Sequence, residues 1–323
     1  MGVVQRLKLG GAKLARLFRR AEKPAPAAHV PGIAEITDFG ANPGALRMFV
    51  HTARAPAPGA PVIVLLHGCR QHAVPFAEEA GWFELAARTG AILVIPAQSE
   101  SNNRWRCFNW FRPGDTKRGM GEAASIRAMT DAAIVRYHAD PARIFAAGLS
   151  AGGAMTAALL ASYPDVFAAG AVVAGLPARC AKNAIQATQR MARPGPALDA
   201  HEWSLLLRAY APENFAGPWP RITIWHGLKD KVVASGNAAI TAAQWIAVHN
   251  LDPTPTTETL HAHGLRHQTW GAASLAPVEL WTIAGMDHGF PIDPATAGRT
   301  GPWVLDAGIP AAEHIARFWG LIR

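Results

Sequence analysis

The chain has 323 residues, half of them hydrophobic, which is enough to bury the core of one large α/β domain or of two smaller ones. Its formal net charge is +8 at pH 7, but residues 1–30 hold seven basic side chains and one acidic one, so the rest carries a net charge of only about +2. A folded body this close to neutrality excludes a basic groove for nucleic acid.

Residues 1–32 are predicted to be a basic extension and linker ahead of a single domain over residues 33–323. Basic side chains interrupt every apolar run of the extension, so it does not match a secretory signal, and we expect a cytoplasmic protein. One interpretation of residues 1–25 is a cationic amphipathic helix in weak contact with a membrane or granule surface. We favour the other, a solvated or body-packed helix, because two adjacent glycines weaken the pattern.

Further along the chain, short apolar runs alternate with helical patterns. The predicted elements are, in chain order, a strand at 61–66, a helix at 76–89, a strand at 92–96, a helix at 122–138, a strand at 143–147, a helix at 151–162, strands at 167–174 and 221–225, a helix at 236–249, a strand at 278–283 and a helix at 311–321. Near-continuous hydrophobicity in the strands predicts a mostly parallel, doubly wound α/β sheet with helices on both faces. Residues 178–220, which contain five prolines, interrupt the alternation. They are interpreted as a small insertion over the site, either a partial lid or an inert surface excursion.

Residues 148–153 read Gly-Leu-Ser-Ala-Gly-Gly and join a predicted strand to a predicted helix, which is the pattern of a nucleophile elbow. Small residues at Gly148 and Gly152 let the strand and the helix approach each other around Ser150. The turn places the Ser150 hydroxyl at a helix N-terminus, where amide groups favour negative charge on a substrate oxygen. The alternative is a glycine-rich connection without chemistry, and the rest of the chain has to decide between the two.

A nucleophilic serine needs a general base and a carboxylate that orients the base. In this architecture the order along the chain is serine, acid, histidine. Asp230 and His288 each follow a predicted strand downstream of Ser150, so we assign them as the acid and the base. Asp287 is the alternative acid, although neighbouring side chains in a short turn usually diverge. His226 is the alternative base, but its position before Asp230 better suits a structural role in which it bonds loop carbonyls.

Catalysis by such a serine also needs donors for the tetrahedral oxyanion. The backbone N–H of Ala151, directly after Ser150, is the first predicted donor. The second is expected from the loop after the strand at 61–66, where Gly68 permits a turn that aims the amide of Cys69 into the site.

Three motifs stand out: Leu-His-Gly-Cys-x-Gln at residues 66–71, Arg-Cys-x-Asn-Trp-Phe at 106–111 and Gly-Leu-Ser-Ala-Gly-Gly-Ala-Met at 148–155. Together they resemble the polyhydroxybutyrate depolymerase family of α/β-hydrolase esterases, over residues 61–318 and most weakly between 181 and 218. The resemblance implies that Ser150, Asp230 and His288 form the triad. It also implies that the amides of Cys69 and Ala151 form the oxyanion hole.

By this resemblance we expect a serine carboxylic ester hydrolase that acts through an acyl-enzyme. Polyhydroxybutyrate or hydroxyalkanoate oligomers are the first expected substrates, and feruloyl, acetyl or other short-chain esters are the second. The chain departs from the family near the base, where Asp287 and Phe290 stand in place of the usual small residue before the histidine and tryptophan after it. Two further alternatives are an acyltransferase with the same residues and a non-catalytic adaptor at a granule or membrane surface.

Cys69 and Cys107 are expected to lie near each other, since both belong to loops beside the cleft. Three cysteines without an export signal fit a reduced compartment, so the unbridged pair is favoured, and Cys180 is expected to be a buried small hydrophobe. The cysteine spacings match no zinc site, and the histidines of residues 261–267 are interpreted as polar surface. We therefore expect neither a metal nor another cofactor.

Trp105, Trp110 and Trp303 are the predicted substrate-binding side chains, because indole rings cover acyl chains well. Trp105 and Trp110 lie in a loop-like stretch rich in asparagine and arginine, whereas most of the eleven tryptophans are expected in the core. The expected partner is an ester substrate, and the residues predict no particular oligomeric state.

Overall fold

The computed structural model describes residues 32–196, 198–272 and 275–323, so all but the last residue of the predicted extension over residues 1–32 lies outside the described part. The strands are β1 (Ile33–Ile36), β2 (Arg47–His51), β3 (Val62–Leu66), β4 (Ile92–Ala97), β5 (Ile144–Leu149), β6 (Ala169–Val173), β7 (Arg221–Gly227), β8 (Thr257–Leu260), β9 (Leu265–Trp270), β10 (Val278–Ile283), β11 (Phe290–Ile292) and β12 (Val304–Asp306). The helices are α1 (Ala73–Glu79), α2 (Trp82–Thr89), α3 (Pro113–Thr116), α4 (Gly121–Tyr137), α5 (Ala151–Ser162), α6 (Ala184–Ala192), α7 (Ala200–Arg208), α8 (Gly236–Val248) and α9 (Ala311–Phe318). None of the helices in these three ranges is long and apolar enough to cross a membrane.

Ten of the strands form one sheet in the spatial order β1-β2-β4-β3-β5-β6-β7-β10-β9-β8. The six central strands, from β4 to β10 in that order, run parallel. The pair β1-β2 and the pair β9-β8 continue the sheet antiparallel at its two sides. Because parallel strands end at the same edge, the turns after β3, β5, β7 and β10 all lie at one edge of the sheet. The predicted α/β class is confirmed.

Strand β3 illustrates why the central strands are apolar throughout. All five of its residues are buried. Val62 and Val64, on one face of the strand, pack into one core with helices α4, α5 and α8. Ile63 and Leu65, on the other face, pack into a second core with α1, α2 and α9. A strand that is covered on both faces has no polar side to leave in water.

The six predicted strands are all present, with shifts of one or two residues at their ends. The predicted helix at 76–89 is instead two helices, because Gly81 adopts a left-handed φ of 80° between α1 and α2. The antiparallel strands were not predicted. β8 is exposed along its whole length, so it carries none of the apolar signal on which the prediction relied.

The insertion at 178–220 contains two helices, α6 and α7, that the proline pattern did not indicate. Asp199 and Glu202 form a capping box at the start of α7, and this Asp-x-x-Glu spacing is the sequence signal that could have revealed the helix. Trp203 and Leu207 of α7 are buried. The segment is therefore packed against the body along part of its length.

One prediction about the histidines was wrong. His267 lies on β9 and stacks on Trp281 of β10 with a ring-centre distance of 3.6 Å, and Trp281 in turn stacks on Trp225 of β7. The three residues are register neighbours across the sheet. His267 is thus a packing residue of the sheet rather than part of a polar surface loop.

Candidate active site

Ser150 stands between β5 and α5 in a strained conformation, with φ 57° and ψ −116°. Its backbone N–H donates to the carbonyl of Val173 at 2.8 Å, which holds the turn against β6. A Cβ on Gly148 would collide with the backbone of Gly152, and one on Gly152 would collide with the backbone of Leu66. The elbow therefore requires glycine at both positions: at Gly148 so that β5 and α5 approach each other, as the sequence pattern suggests, and at Gly152 so that α5 approaches the end of β3.

The structure brings Ser150, His288 and Asp230 into one hydrogen-bonded chain. His288 Nε2 lies 2.9 Å from Ser150 Oγ, and His288 Nδ1 lies 2.7 Å from Asp230 Oδ2. Ser150 and His288 are only 6% and 4% exposed. The turns after β5, β7 and β10 thus place these three side chains at the same edge of the sheet, although 138 positions separate Ser150 from His288.

The Asp230 carboxylate accepts hydrogen bonds on both of its oxygens. Oδ1 accepts from the backbone N–H groups of Val232 and Val233, each at 2.8 Å. Oδ2 lies 3.0 Å from His226 Nε2 as well as 2.7 Å from His288. Burial raises the pKa of Asp230, but the hydrogen bonds from His226 and His288 outweigh burial and hold the pKa well below its usual range. Asp230 is therefore an anion whenever the enzyme is folded near neutral pH.

Asp287, the alternative acid, makes different contacts. Its Oδ1 accepts from the backbone N–H of His288 at 2.9 Å and from that of Lys231 at 3.0 Å, and its Oδ2 lies 3.6 Å from Lys231 Nζ. The carboxylate thus bonds the main chain of the two loops and not the imidazole ring. His226, the alternative base, contacts Asp230. It is His288, and not His226, that contacts the Ser150 hydroxyl.

The loop after β3 runs beside the elbow. A Cβ on Gly68 would lie 3.5 Å from Ser150 Cβ, an ordinary contact distance, and 3.0 Å from Gln71 Oε1, so this turn lies directly against the serine. Within the described residues, the backbone N–H groups of Cys69 and Ala151 donate to no protein acceptor. Two amides that flank a serine in this way can receive the oxygen of a tetrahedral intermediate.

A disulfide joins Cys69 to Cys107, so the expected unbridged pair is wrong. The loop after β3 and the loop at 102–107 approach closely, with a Cα–Cα distance of 4.2 Å between the two cysteines. The backbone N–H of Arg70 also donates to the carbonyl of Trp105 at 2.7 Å. The expected proximity of the two cysteines is thus confirmed, whereas the compartment rule based on cysteine content gave the wrong answer about the bridge.

Gln71 fixes the same loop from the other side. Its Oε1 accepts from the N–H of Gly68 at 2.7 Å, and its Nε2 donates to the carbonyl of Pro302 at 2.6 Å. Pro302 precedes Trp303, so one buried amide ties the loop of Cys69 to the segment that carries Trp303. Sequence reasoning assigned no role to Gln71, although it stands in the Leu-His-Gly-Cys-x-Gln motif.

Glu122, at the start of α4, is buried beside the loop of Cys107 and accepts several hydrogen bonds there. Its carboxylate accepts from the backbone and side-chain N–H groups of Asn109 and from the side chains of Gln98 and Asn102. Gln98 also donates to the carbonyl of Cys107 at 3.1 Å. Burial raises the pKa of Glu122 to about 8, although its hydrogen-bond donors act in the opposite direction. The sequence did not indicate these contacts of Glu122, because its partners lie between residues 98 and 109, outside α4.

The three predicted substrate-binding tryptophans have different surroundings. Trp303 is half-buried, with its ring centre 5.6 Å from that of His288 in an edge-on arrangement. Trp105 is half-buried, and the guanidinium groups of Arg70 and Arg104 lie 4.5 and 4.7 Å from its ring centre. Trp110 is only 7% exposed and packs in the core, so little of its indole can reach a substrate.

A strained serine at a strand–helix elbow, a histidine on its hydroxyl and a carboxylate on the histidine define the serine hydrolases, and the doubly wound sheet places this one among the α/β-hydrolases. Residues 49–259 match the family described as Esterase PHB depolymerase. The chain belongs to this family of esterases and is a carboxylic ester hydrolase.

Individual relatives agree with this assignment. The chain is 39% identical over 298 residues to poly(3-hydroxyalkanoate) depolymerase C of Paucimonas lemoignei, covering 91% of the chain and 71% of that protein. It is 30% identical over 274 residues to an acetylxylan esterase of Coprinopsis cinerea, covering 83% of the chain and 72% of the relative. Among solved structures, the acetyl xylan esterase from Aspergillus awamori has the same fold, with a TM-score of 0.76 at 21% identity over 90% of this chain and 99% of that one.

Proposed function

We propose that Ser150, His288 and Asp230 carry the ester hydrolysis, with the amides of Cys69 and Ala151 as the oxyanion hole. The observation that supports the proposal is the unbroken chain from Ser150 Oγ to His288 Nε2 at 2.9 Å and from His288 Nδ1 to Asp230 Oδ2 at 2.7 Å. Asp230 is ionised, so it holds the His288 proton on Nδ1 and leaves Nε2 to accept the proton of the serine.

The reaction then has two halves. Ser150 Oγ attacks the ester carbonyl while His288 Nε2 takes the hydroxyl proton, and the tetrahedral oxygen is stabilised by the two amides. His288 gives the proton to the leaving alcohol, which leaves the acyl group on Ser150. Water repeats the sequence on the acyl-enzyme, with His288 again as the base, and releases the acid.

We propose hydroxyalkanoate oligomers or the amorphous polyester as the substrate. The support is the 39% identity to a poly(3-hydroxyalkanoate) depolymerase. Trp303 beside His288 offers an apolar wall for the methyl-bearing chain. The second candidate is a feruloyl or acetyl ester, which the 27% and 30% identities to a feruloyl esterase B of Talaromyces funiculosus and to the acetylxylan esterase favour.

The test is a panel of 3-hydroxybutyrate oligomers, amorphous polyhydroxybutyrate, methyl ferulate and p-nitrophenyl acetate and butyrate. We expect the highest kcat/KM on the oligomers, and a fall in kcat on the order of 10⁶-fold in Ser150→Ala. Ser162→Ala, a serine at the opposite end of α5 from Ser150 whose hydroxyl donates to the carbonyl of Thr116, serves as the matched control and keeps its activity. Full activity of Ser150→Ala would refute the triad, and a preference for methyl ferulate would move the substrate to the second candidate.

The segment at 178–220 is proposed to border the site and to support the acid loop. The N–H of Ala234 donates to the carbonyl of Met191 at 2.8 Å, and Asn237 Nδ2 donates to the carbonyl of Arg190 at 2.9 Å. Both donors follow Asp230 closely, and both acceptors lie at the end of α6. Asn237→Ala is expected to lower kcat on oligomers if the insertion supports the acid loop, and unchanged kinetics would leave the insertion an inert excursion.

The cellular location of the protein stays a prediction. The sequence predicts a cytoplasmic protein, with weak granule or membrane contact through residues 1–25 as one interpretation, whereas a disulfide is typical of oxidising compartments. Cell fractionation with trapping of thiols separates the two locations. Co-sedimentation with polyester granules and with anionic vesicles, using the full chain and a variant lacking residues 1–30, tests the surface contact.

A further inference from the structure

His226 stands at the buried end of β7, four positions before Asp230, and is only 2% exposed. We propose that it is a positioning residue that extends the chain of Ser150, His288 and Asp230 by a fourth member. The inference rests on the proposed triad, and it assigns His226 a function beyond packing: it sets the orientation and the charge of the carboxylate that His288 uses.

The contacts of His226 fix its protonation pattern. Its Nε2 lies 3.0 Å from Asp230 Oδ2 and 3.1 Å from the carbonyl oxygen of Val233. Both atoms are acceptors, so Nε2 must carry the proton and donate. His226 Nδ1 is buried, and among the described residues it has no hydrogen-bond partner.

The N–H of His226 Nε2, which is shared between the Val233 carbonyl and Asp230 Oδ2, lies at the carboxylate oxygen that His288 also contacts. Asp230 Oδ1 is held by two backbone N–H groups of its own loop, and Oδ2 is shared by His226 and His288. Without His226, Oδ2 would be held only by the imidazole that moves during the reaction. With His226, the carboxylate plane is fixed while His288 passes its proton back and forth.

The same donation adjusts the electrostatics of the base. A hydrogen bond to Oδ2 reduces the negative charge that His288 experiences, so it stabilises the charged imidazolium less than a carboxylate without this donor would. The other charged groups that face His288 are few: Asp287 accepts from its backbone N–H, and Lys231 lies 3.6 Å from Asp287. Ser150 and Trp303, which also contact His288, are uncharged. Removal of His226 leaves these groups in place, so a change in pH dependence reports on Oδ2.

The experiment compares His226→Leu, which removes the donor, with His226→Gln, whose amide nitrogen reaches the position of Nε2. In His226→Leu we expect kcat on p-nitrophenyl butyrate to fall about 10- to 100-fold, the range of a lost hydrogen bond to a charged group, with KM unchanged. The acid limb of the kcat/KM profile moves to higher pH by about 0.5 to 1 unit. His226→Gln recovers most of the rate and the original acid limb.

His249→Leu is the matched control, because His249 Nε2 bonds the carbonyl of Pro220 at 3.0 Å and has no contact with Asp230. Replacement of a structural histidine of this kind lowers the melting temperature but leaves the acid limb in place. If His226→Leu does not fold, His226→Asn replaces it, since its shorter amide reaches only the position of Nδ1. Equal rates and acid limbs in the Asn and Gln variants, or a wild-type profile in His226→Leu, would overturn the inference. A loss of activity in Ser150→Ala alongside that result would leave the proposed function intact.

Discussion

The Cys69–Cys107 disulfide is expected to contribute much to the stability of the fold and little to the proposed oxyanion hole. A variant without the disulfide measures the two contributions separately. The perturbation is the double variant Cys69→Ala, Cys107→Ala, which deletes both sulfur atoms and keeps every backbone amide. The bridge spans 38 positions. The chain-entropy relation for a loop of this length gives about 4 kcal/mol at 25 °C, a large part of the roughly 5–15 kcal/mol by which domains are stable.

The expected effect on turnover is much smaller. The Cys69 amide remains in the variant, and the hydrogen bond from Arg70 N–H to the Trp105 carbonyl, with the stacking of Arg70 on the same indole, still joins the two loops. Complete loss of one oxyanion donor costs about 10²–10³-fold in kcat. We therefore expect a fall of less than about tenfold, because the donor stays near its place.

The assay is equilibrium unfolding in urea together with kcat on p-nitrophenyl butyrate, for the oxidised wild type, the wild type in dithiothreitol and the double variant. Dithiothreitol should reproduce the variant's stability in the wild type and change nothing in the double variant. A stability loss below about 1 kcal/mol would refute the loop-entropy argument. A fall in kcat of about 10²-fold at the expected stability would show that the sulfur bridge itself places the Cys69 amide.

Three further outcomes follow from the geometry. Because the folded state holds a proton on Glu122 up to a pKa of about 8, against 4.5 without burial, the free energy of unfolding should fall as pH rises between these values, by at most about 1.4 kcal/mol per pH unit. Glu122→Gln should flatten this slope in urea titrations at several pH values, and a flat wild-type profile would contradict it. Asp287→Ala should move the acid limb of kcat/KM to lower pH, by about half a unit or less, because a carboxylate beside the base favours its charged form; identical profiles would end that idea. Gly152→Ala should cost at least about 1–3 kcal/mol in thermal or urea unfolding, whereas Gly114→Ala, whose Cβ would meet nothing within 4 Å, is the control, and equal stabilities would show that the elbow can yield.

Whether a feature of this protein could be predicted from its sequence depends on how far apart along the chain the interacting residues lie. The elbow at Ser150 was predictable, because its pattern of small residues around a serine lies within six consecutive residues, although the contact that requires glycine at 152 is with Leu66 of β3. The six central parallel strands were predictable for a similar reason, since a buried parallel strand has to be apolar along its length. Strand β8 and helix α7 were missed, because exposure removes the apolar signal from the first and prolines around the second obscured its capping box.

Local pattern also sufficed to select Ser150, Asp230 and His288 as candidates, since each lies in the turn after a strand and the chain order suits the architecture. Their distances, the bond between Cys69 and Cys107, and the second histidine on Asp230 depend instead on how separate loops approach at one edge of the sheet. A pattern of residue types records what each segment can do. Which segments meet is set by strand order and by the packing of both sheet faces, and that information is spread over the whole chain rather than written at the site.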